Sequence, residues 1–137
     1  MPSVIIPCWI NDEETLQVTV ACIDSFRQNK VELILVDNGG TVGSGYLRSQ
    51  ADIYIRYPEN RGFTVAMNDG IKLANGDIFA WANNDIRVPS NWIEVCIELL
   101  KDDVATIHPR MINYDEPFVF GTEVKEDERL CGNSFVV

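Results

Sequence analysis

Three polar residues at the end of an apolar stretch are the strongest candidates for chemistry in this chain. Residues 77–85 (DIFAWANND) place five apolar or small residues directly before Asn83, Asn84 and Asp85. Such a run predicts a strand that is buried on both faces. Ligands of open α/β sheets bind at the carboxyl ends of the strands, so we expect Asp85 at the mouth of a cleft. The alternative is that these three residues only form a turn and cap the next helix.

A second acid follows a second apolar stretch. Residues 31–36 (VELILV) predict a central strand that runs into Asp37, Asn38 and two glycines. Parallel strands end at one edge of a sheet, so we expect Asp37 and Asp85 to converge on one pocket. Placement of the two carboxylates on opposite sides of the molecule, or burial of either one in the interior, would exclude the function that the sequence favours. The alternative for Asp37 is a turn-forming residue after a strand.

The glycine-rich loop at residues 39–45 (GGTVGSG) does not match a phosphate-binding motif. Gly40 and Gly45 have the spacing of a Walker loop, but Tyr46 stands where the lysine is required. A dinucleotide fingerprint would place its glycines after the first strand, where this chain has residues 8–11 (CWIN). We therefore expect residues 39–45 to form a flexible surface loop beside the cleft.

The elements that must position these residues are predicted to follow the order β-α-β-β-α-β-α. Residues 3–8, 31–36, 51–57 and 77–85 are the predicted strands. The first helix is predicted to begin at Asn11 as N-cap, with Glu14 three residues later and acidic residues in the first turn. Residues 58–62 lead into the second helix, and Pro89 and Ser90 begin the third.

Each predicted helix carries an apolar face that should pack on the sheet. The members of the three faces are Leu16, Val20, Ile23 and Phe26; Phe63, Ala66, Met67, Gly70, Ile71 and Ala74; and Trp92, Val95, Cys96, Leu99 and Leu100. The second helix should end at Asn75 and Gly76.

The pattern is weaker after Asp103. Residues 104–108 and 118–120 are strand predictions, and residues 130–137 end the chain on apolar residues within another predicted strand. Because domains seldom end within a strand, we interpret the chain as one domain over residues 1–137 that is truncated at its C-terminal side. The apolar end at residues 135–137 could pair with a second copy, so a homo-oligomer is left open.

Composition limits the class of protein. The chain has 137 residues, 46% hydrophobic and 23% charged, which is typical of a globular domain. Its net charge of -10 argues against nucleic-acid partners. No apolar run approaches the roughly 20 residues of a membrane span, and the start lacks the features of a signal peptide. We expect a cytoplasmic protein, with peripheral membrane association left open.

The cysteines and the histidine do not form a recognisable metal or disulfide pattern. Cys8, Cys22, Cys96 and Cys131 are far apart without a CxxC pair, and His108 is the single histidine. We interpret the cysteines as small buried hydrophobic residues and His108 as structural.

The segments taken together resemble the nucleotide-sugar-binding half of family 2 glycosyltransferases, which have the GT-A fold. The matching pieces are residues 3–11 (SVIIPCWIN), 33–40 (LILVDNGG), 59–85 (ENRGFTVAMNDGIKLANGDIFAWANND) and 89–94 (PSNWIE). The likeness is close over residues 3–100 and loose beyond, and the order and spacing of the pieces are more specific than any one of them. It implies a Rossmann-like, mostly parallel α/β sheet flanked by helices.

The resemblance also implies roles for individual residues. A nucleoside diphosphate sugar would be held at its uracil or other base by Pro7, Trp9 and Asp37, and its pocket would be lined by Asn60, Gly62 and Asn68. Asn83, Asn84 and Asp85 occupy the DxD position, which makes Asp85 the ligand of a divalent metal. Two departures are that Asn83 replaces the first acid and that Met67 replaces a basic residue often found before the Asn68 position.

Each of these residues also has a structural alternative. Trp9 would look the same in the sequence as a core or rim aromatic, and Asn60 and Gly62 match the chemistry of a helix start. Asp37 suits base or ribose recognition because a carboxylate accepts hydrogen bonds from N–H and O–H groups.

The metal site implied at Asp85 needs only one protein carboxylate. Magnesium usually takes one or two carboxylates and completes its shell with water and phosphate oxygens. Because Asn83 and Asn84 are neutral, we expect Mg²⁺ or Mn²⁺ to bind weakly to the empty protein and better with the diphosphate present.

The function favoured by the sequence is a glycosyltransferase, or its donor-binding domain, that uses a nucleoside diphosphate sugar and a divalent metal. The acceptor, whether glycan, lipid-linked or protein, cannot be assigned, and no general base is assigned. One alternative is a non-catalytic module that binds a nucleotide or nucleotide sugar. A nucleotidyltransferase is a third, although the segment after the first strand lacks the glycine-rich, basic loop that such enzymes usually carry.

Overall fold

Four parallel strands and one antiparallel strand form a single sheet, in the order β3-β2-β1-β4-β5. The computed structural model describes residues 1–100, Ile107 and residues 134–136. The elements are β1 (Ser3–Cys8), α1 (Glu13–Arg27), β2 (Glu32–Asn38), α2 (Ser44–Gln50), β3 (Ile53–Tyr57), α3 (Phe63–Leu73), β4 (Phe79–Ala82), α4 (Trp92–Leu99) and β5 (Ser134–Val136). The expected mostly parallel α/β sheet is confirmed.

Helices cover both faces of this sheet because side chains alternate along the strands. On β1, Val4 and Ile6 belong to the larger core cluster, which includes buried residues of α1, α2 and α4. Ile5, between them, belongs to the smaller cluster with Ala66 and Met67 of α3. The sheet is therefore sandwiched between three helices on one face and α3 on the other.

Strand β2 is longer than the sequence indicates. It continues through Asp37 and Asn38. Asp37 pairs with Cys8 of β1 and with Arg56 of β3, and Asn38 pairs with Tyr57 of β3. The prediction that Asp37 follows the strand is therefore wrong, because β3 provides a ladder partner for these two polar residues. Every residue of β2 is buried.

Helix α1 begins one residue later than predicted. The N-cap is Asp12, whose Oδ1 accepts a hydrogen bond from the backbone N–H of Thr15 at 2.7 Å. This bond holds the pKa of Asp12 below its ordinary value. Asn11 instead accepts a hydrogen bond from the Thr41 hydroxyl at 3.2 Å, which ties the two loops together.

A short helix, α2, was not expected. The predicted flexible loop at residues 39–45 ends at Gly43, which caps α2 with a left-handed backbone (φ 81°). Only Leu47 of α2 is fully buried, and Tyr46 packs partly buried against the same core. Two adjacent core residues in a helix of seven leave no amphipathic pattern to detect. The real order is β-α-β-α-β-α-β-α, followed by β5.

Three predicted apolar faces also differ from the structure. In α3 the predicted Phe63 is 43% exposed. Strand β4 is not buried on both faces, because Ala80 and Ala82 are buried whereas Phe79 and Trp81 are only half-buried. In α4 the buried residues are Trp92, Ile93 and Cys96, and the predicted Val95 is 44% exposed.

The C-terminal predictions are tested only in part. Residues 134–136 form β5, which pairs with β4, so a strand at the end of the chain is confirmed. The predictions at residues 104–108 and 118–120, together with His108 and Cys131, lie outside the described residues apart from Ile107. The other three cysteines are buried and free, as expected. No helix in the described part of the chain has the length and hydropathy of a membrane span.

A buried polar network closes the amino edge of the sheet. The Glu32 carboxylate accepts hydrogen bonds from the Ser3 hydroxyl at 2.6 Å and from the Asn75 backbone N–H at 2.9 Å, and the Gly76 N–H donates to Ser3 Oγ at 2.9 Å. Burial raises the pKa of Glu32, but the hydrogen bonds from Asn75 and Ser3 outweigh it and hold the pKa below its ordinary value. This network joins β1, β2 and the end of α3 at the edge opposite the candidate site.

Candidate functional site

The turn after β4 carries the predicted metal ligand at the carboxyl edge of the sheet. Asn83 and Asn84 are half-buried, and Asp85 is exposed. The Asn84 side-chain amide donates to Thr19 Oγ1 at 2.7 Å, and Cys22 Sγ donates to the Asn83 carbonyl at 3.5 Å. The turn is therefore fastened to α1, while the carboxylate at its tip faces outward.

The electrostatic surroundings of Asp85 include the Cys22 thiol. Burial raises the pKa of Cys22 to about 12, the Asp85 charge raises it further, and a backbone hydrogen bond from Ile86 and the charge of Arg87 act in the opposite direction. The thiol is therefore neutral near pH 7 and adds no negative charge beside Asp85.

Asp37 lies in a different environment. Its side chain is 2% exposed and forms an ion pair with Arg56. The same carboxylate accepts a hydrogen bond from the Tyr54 hydroxyl at 2.8 Å and from the Gly40 N–H at 3.2 Å. Asp37 therefore does not face an open cleft, and the accessibility expected from the sequence is not found.

Pro7 and Trp9 lie at the carboxyl end of β1, between β2, which carries Asp37, and β4, which leads to Asp85. Pro7 is half-buried and pairs with Val36 of β2, one residue before the Cys8 and Asp37 pair. Trp9 is 56% exposed just beyond the strand. Its indole is therefore a rim aromatic and not part of the core.

Asn60 and Gly62 form a loop that is held by a residue the sequence analysis did not select. Asn38 is 4% exposed; its amide donates to Asn60 Oδ1 at 3.0 Å, and its Oδ1 accepts from the Arg61 N–H at 2.9 Å. Asn60 Oδ1 also accepts from the Gly62 N–H at 2.8 Å. This loop and the end of β2 are in direct backbone contact, because a Cβ on Gly39 would lie 2.3 Å from the carbonyl carbon of Glu59.

Asn68 is exposed on α3 and lines a shallow groove of about 230 Å³ between α3 and β4. The groove is lined by Phe63, Thr64, Met67, Asn68, Ile71 and Trp81. Met67 itself is 6% exposed and packs in the core with Ile5 and Ile34. The position that often carries a basic residue in the resembling family therefore points into the core here.

The sheet brings most of these residues to one edge. Cys8 pairs with Asp37, and on the other side of β1 the pairing of Ile5 with Trp81 would bring Asn84 level with Cys8 if it continued three residues further. Residues flanking one strand on both sides are about 10 Å apart. Asp37 and the turn that follows β4 therefore lie at the same edge of the sheet, on either side of β1, although only Asp85 is exposed.

The residues that enclose the Asp37 carboxylate were not predicted from the sequence. Tyr54 and Arg56 are two residues apart on β3, so both point to the same face of the sheet as Asp37. This spacing was visible in the predicted third strand and could have indicated an acid partner on the neighbouring strand. The role of Thr19 could not be predicted in the same way, because a threonine within a helix does not by itself indicate a partner in another element.

The residues present fit a metal site with one protein carboxylate. Within residues 1–100 there is no group of three or more His, Cys, Asp or Glu side chains that could hold an ion. Asp85 offers a carboxylate in an exposed turn, beside amide oxygens of Asn83 and Asn84. Such a donor set suits a hard cation whose remaining ligands are water and phosphate oxygens.

Curated relatives of this chain are glycosyltransferases. It is 27% identical over 121 residues to glycosyltransferase GlyG of Streptococcus pneumoniae, which covers 83% of this chain and 40% of that protein. It is 31% identical over 101 residues to glycosyltransferase AglE of Haloferax volcanii, a match that covers 67% of this chain and 33% of that protein. It is 27% identical over 118 residues to a poly-beta-1,6-N-acetyl-D-glucosamine synthase of Staphylococcus aureus, a match that covers 80% of this chain and 28% of that protein. The chain thus spans 40% or less of the length of these relatives.

Solved structures share the fold. A mannosyltransferase of Pyrobaculum calidifontis, PcManGT, in complex with GDP-Man and Mn²⁺ superposes with a TM-score of 0.66 at 20% identity, covering 77% of this chain and 34% of that one. S. aureus TarS 1-349 in complex with UDP-GlcNAc superposes with a TM-score of 0.60 at 17% identity, covering 72% of this chain and 30% of that one.

A family model extends this likeness over nearly the whole chain. The model described as glycosyl transferase family 2 matches residues 3–130. This match includes every candidate site residue described above and confirms the resemblance drawn from the sequence. The chain therefore belongs to glycosyl transferase family 2.

Proposed function

We propose that this chain is the donor-binding domain of a glycosyltransferase and that it binds a nucleoside diphosphate sugar together with a divalent cation at Asp85. The observation that carries the proposal is an exposed carboxylate at the carboxyl end of a sheet strand, fastened to α1, in a chain of family 2. Relatives in complex with GDP-Man and Mn²⁺ or with UDP-GlcNAc support this class of ligand.

The proposed ligand spans the edge of the sheet from β2 to β4. Trp9 would stack on the base, since its indole is exposed at the end of β1. Asn60, Gly62 and Asn68 would line the nucleotide on the α3 side, where Asn60 and Asn68 are exposed. Pro7 would form the floor between them, and Asn83 and Asn84 would border the diphosphate.

Asp37 has a narrower role in this proposal than the sequence alone suggests. A carboxylate offers about four acceptor positions, and the contacts with Tyr54, Arg56 and Gly40 use three of them. A base could therefore reach only the position that remains on Oδ1, and Tyr54 or Gly40 would have to shift to admit it. Arg56, with a side chain 46% exposed, is the more accessible polar group at this point.

A divalent cation would neutralise the negative charge that develops on the leaving diphosphate during sugar transfer. Asp85 would hold it with its single carboxylate, and the neutral Asn83 and Asn84 would add no further charge. We therefore expect weak cation binding without nucleotide and much tighter binding with it, whether the cation is Mg²⁺ or Mn²⁺.

A thermal-shift screen tests this proposal directly. GDP, UDP, GDP-mannose and UDP-GlcNAc would each be added with and without Mn²⁺ or Mg²⁺, because a ligand that binds only the native state raises the melting temperature. We expect at least one nucleotide to raise it in the presence of the cation, and the cation alone to have little effect. A tight cation site without nucleotide, or no response to any nucleotide, would contradict the proposal.

The second candidate is a non-catalytic module that binds the same ligand, because no general base has been assigned. The two functions differ in turnover of the donor. Release of UDP or GDP from the corresponding sugar, with Mn²⁺ present, supports a transferase, and the matched control is Asp85→Asn. Binding without release, in the presence of candidate acceptors, supports the module.

A further inference from the structure

Four buried polar residues form a seam along one side of α1 and just beyond its end. Thr19, Cys22, Ser25 and Asn29, here called the polar seam, are 0%, 0%, 7% and 6% exposed. The spacing of three to four residues places them on one side of the helix. They interrupt the apolar surface that α1 presents to the core and therefore need partners there.

Each of the four has a hydrogen-bond partner in the segment between β4 and α4 that carries Asp85. Before Asp85, Thr19 Oγ1 accepts from the Asn84 amide at 2.7 Å, and Cys22 Sγ donates to the Asn83 carbonyl at 3.5 Å. These two contacts hold a side chain and a backbone group of the two residues that immediately precede the carboxylate.

After Asp85, the polar seam binds the same segment at two further residues, Val88 and Pro89. Ser25 Oγ accepts from the Val88 N–H at 3.1 Å. Asn29 donates to the Pro89 carbonyl at 3.1 Å and accepts from the Ile93 N–H at 3.3 Å, at the start of α4. The polar seam therefore fixes the chain on both sides of Asp85, between β4 and α4, where no ladder or helix does so.

The seam hydroxyls have no freedom to rotate. Thr19 donates its hydroxyl proton to the Thr15 carbonyl at 2.8 Å, and Ser25 donates to the Cys22 carbonyl at 2.7 Å. Each oxygen consequently presents a lone pair in a fixed direction to the Asp85 segment. Such support determines how precisely a binding group is held before its ligand arrives.

We propose that the polar seam positions Asp85 for the cation and diphosphate, and that Thr19 is its principal positioning residue. This inference rests on the function proposed above. Thr19 touches neither ligand, but its bond to Asn84 sets the direction in which the turn carries the Asp85 carboxylate. Loss of the bond leaves the carboxylate in place on average and widens the range of positions that it samples.

The test is the Thr19→Val variant, which removes the hydroxyl and keeps the β-branched shape. Mn²⁺ would be titrated into protein saturated with GDP or UDP, and free Mn²⁺ would be measured by electron paramagnetic resonance. We expect binding about 10-fold weaker than wild type, the lower end of the effect of removing an outer-shell partner. Nucleotide binding without metal should not change. Thr19→Ser, which keeps the hydroxyl, should restore Mn²⁺ affinity to near the wild-type value.

The matched control is Thr15→Val, which removes a hydroxyl one turn earlier in the same helix and leaves its backbone carbonyl in place. Mn²⁺ affinity should stay at the wild-type value even where the melting temperature falls. The positioning role of Thr19 would be overturned if Thr15→Val and Thr19→Val weakened Mn²⁺ binding equally, or if Thr19→Val did not weaken it. If Thr19→Val does not fold, Ser25→Ala removes the contact beyond Asp85; weaker Mn²⁺ binding supports the proposal and unchanged binding overturns it.

Failure of the proposed function gives a different result. In that case wild-type protein itself would bind no Mn²⁺ in the presence of either nucleotide, and the role of the seam in cation binding would fall with it. A wild-type protein that binds Mn²⁺ with nucleotide, and a Thr19→Val variant that binds it equally well, would overturn the seam alone.

Discussion

The ends of β2 and β4 carry acids that look alike in the sequence and differ in the structure. Asp37 is 1% exposed and is surrounded by Tyr54, Arg56 and Gly40. Asp85 is exposed, and the polar seam holds the residues beside it without covering its carboxylate. One acid is used to join strands, and the other is presented to solvent.

The neighbouring strand accounts for this difference. Strand β2 lies between β1 and β3, and β3 supplies both the tyrosine and the arginine that close over Asp37. Asp85 comes three residues after the end of β4, beyond the reach of the sheet ladder. In this chain the acid that lies inside the ladder beside a tyrosine and an arginine is buried, and the acid that lies beyond the ladder is exposed.

Substitution of Asp85 should have the largest effect and should affect ligand binding alone. We expect Asp85→Asn to weaken Mn²⁺ binding in the presence of nucleotide by about 100-fold, or about 3 kcal/mol, because the single charged ligand is lost. The free energy of unfolding should change by less than about 0.5 kcal/mol, as for other exposed positions. Mn²⁺ titration and urea denaturation measure the two quantities. A large loss of stability would show that the contrast with Asp37 is wrong.

Asp37→Ala should mainly lower the stability of the fold, whereas Asp85→Asn should mainly weaken cation binding. We expect a loss of about 2–3 kcal/mol in the free energy of unfolding, because the Tyr54 hydroxyl and the Gly40 N–H lose a charged acceptor. Arg56→Ala is the comparison and should cost less than Asp37→Ala, about 1–2 kcal/mol, because the buried Asp37 carboxylate loses its ion-pair partner but keeps the hydrogen bonds from Tyr54 and Gly40. Urea denaturation checks both. Wild-type stability in Asp37→Ala with loss of nucleotide binding would instead identify Asp37 as a direct ligand residue.

Two glycines at the β2 side of the site sharpen the comparison further. Gly39 (φ 76°) and Gly62 (φ 85°) both adopt left-handed backbone, but only at Gly39 would a Cβ clash, 2.3 Å from the carbonyl carbon of Glu59. We expect Gly39→Ala to cost more than about 2 kcal/mol and Gly62→Ala about 1 kcal/mol, the cost of the backbone alone. Equal losses of stability, measured by thermal unfolding, would contradict the close contact of the two loops.

The smallest expected effect is a pH dependence near Asp85. The pKa of Cys22 is about 12 in the folded protein, above its value in the unfolded chain. The stability that Cys22 contributes is therefore fully present below about pH 8.5 and is lost as pH rises toward 12. Between pH 8 and pH 10, Cys22→Ala should lose about 2 kcal/mol less stability than wild type. Identical losses in urea denaturation would show that the thiol is not protected by burial.

The sequence was sufficient for the sheet but not for the state of each acid. The apolar runs at residues 3–8 and 31–36 predict a first strand and a central strand, and the resemblance to family 2 glycosyltransferases led to the correct fold although one helix was missed. Long-range partners were not predictable from local pattern, as Tyr54 and Arg56 around Asp37 and Thr19 beneath Asn84 demonstrate. The expectation that a buried Asp37 would exclude the transferase family is wrong, because the family match over residues 3–130 holds despite that burial.

The N-cap of α1 and helix α2 were missed for a related reason. Asn11 and Asp12 are both good caps, and only the contact of Asn11 with Thr41 decides between them. Helix α2 has one fully buried residue, so its formation depends on the tertiary position of Leu47 and not on periodicity.

The Glu32 network at the amino edge leaves no room for a side chain at Gly76. A Cβ there would lie 2.4 Å from the Met1 carbonyl oxygen and 2.7 Å from Ser3 Oγ. Gly76→Ala should therefore push the start of β1 away from the turn after α3 and weaken the hydrogen bonds that join Ser3, Glu32 and Asn75.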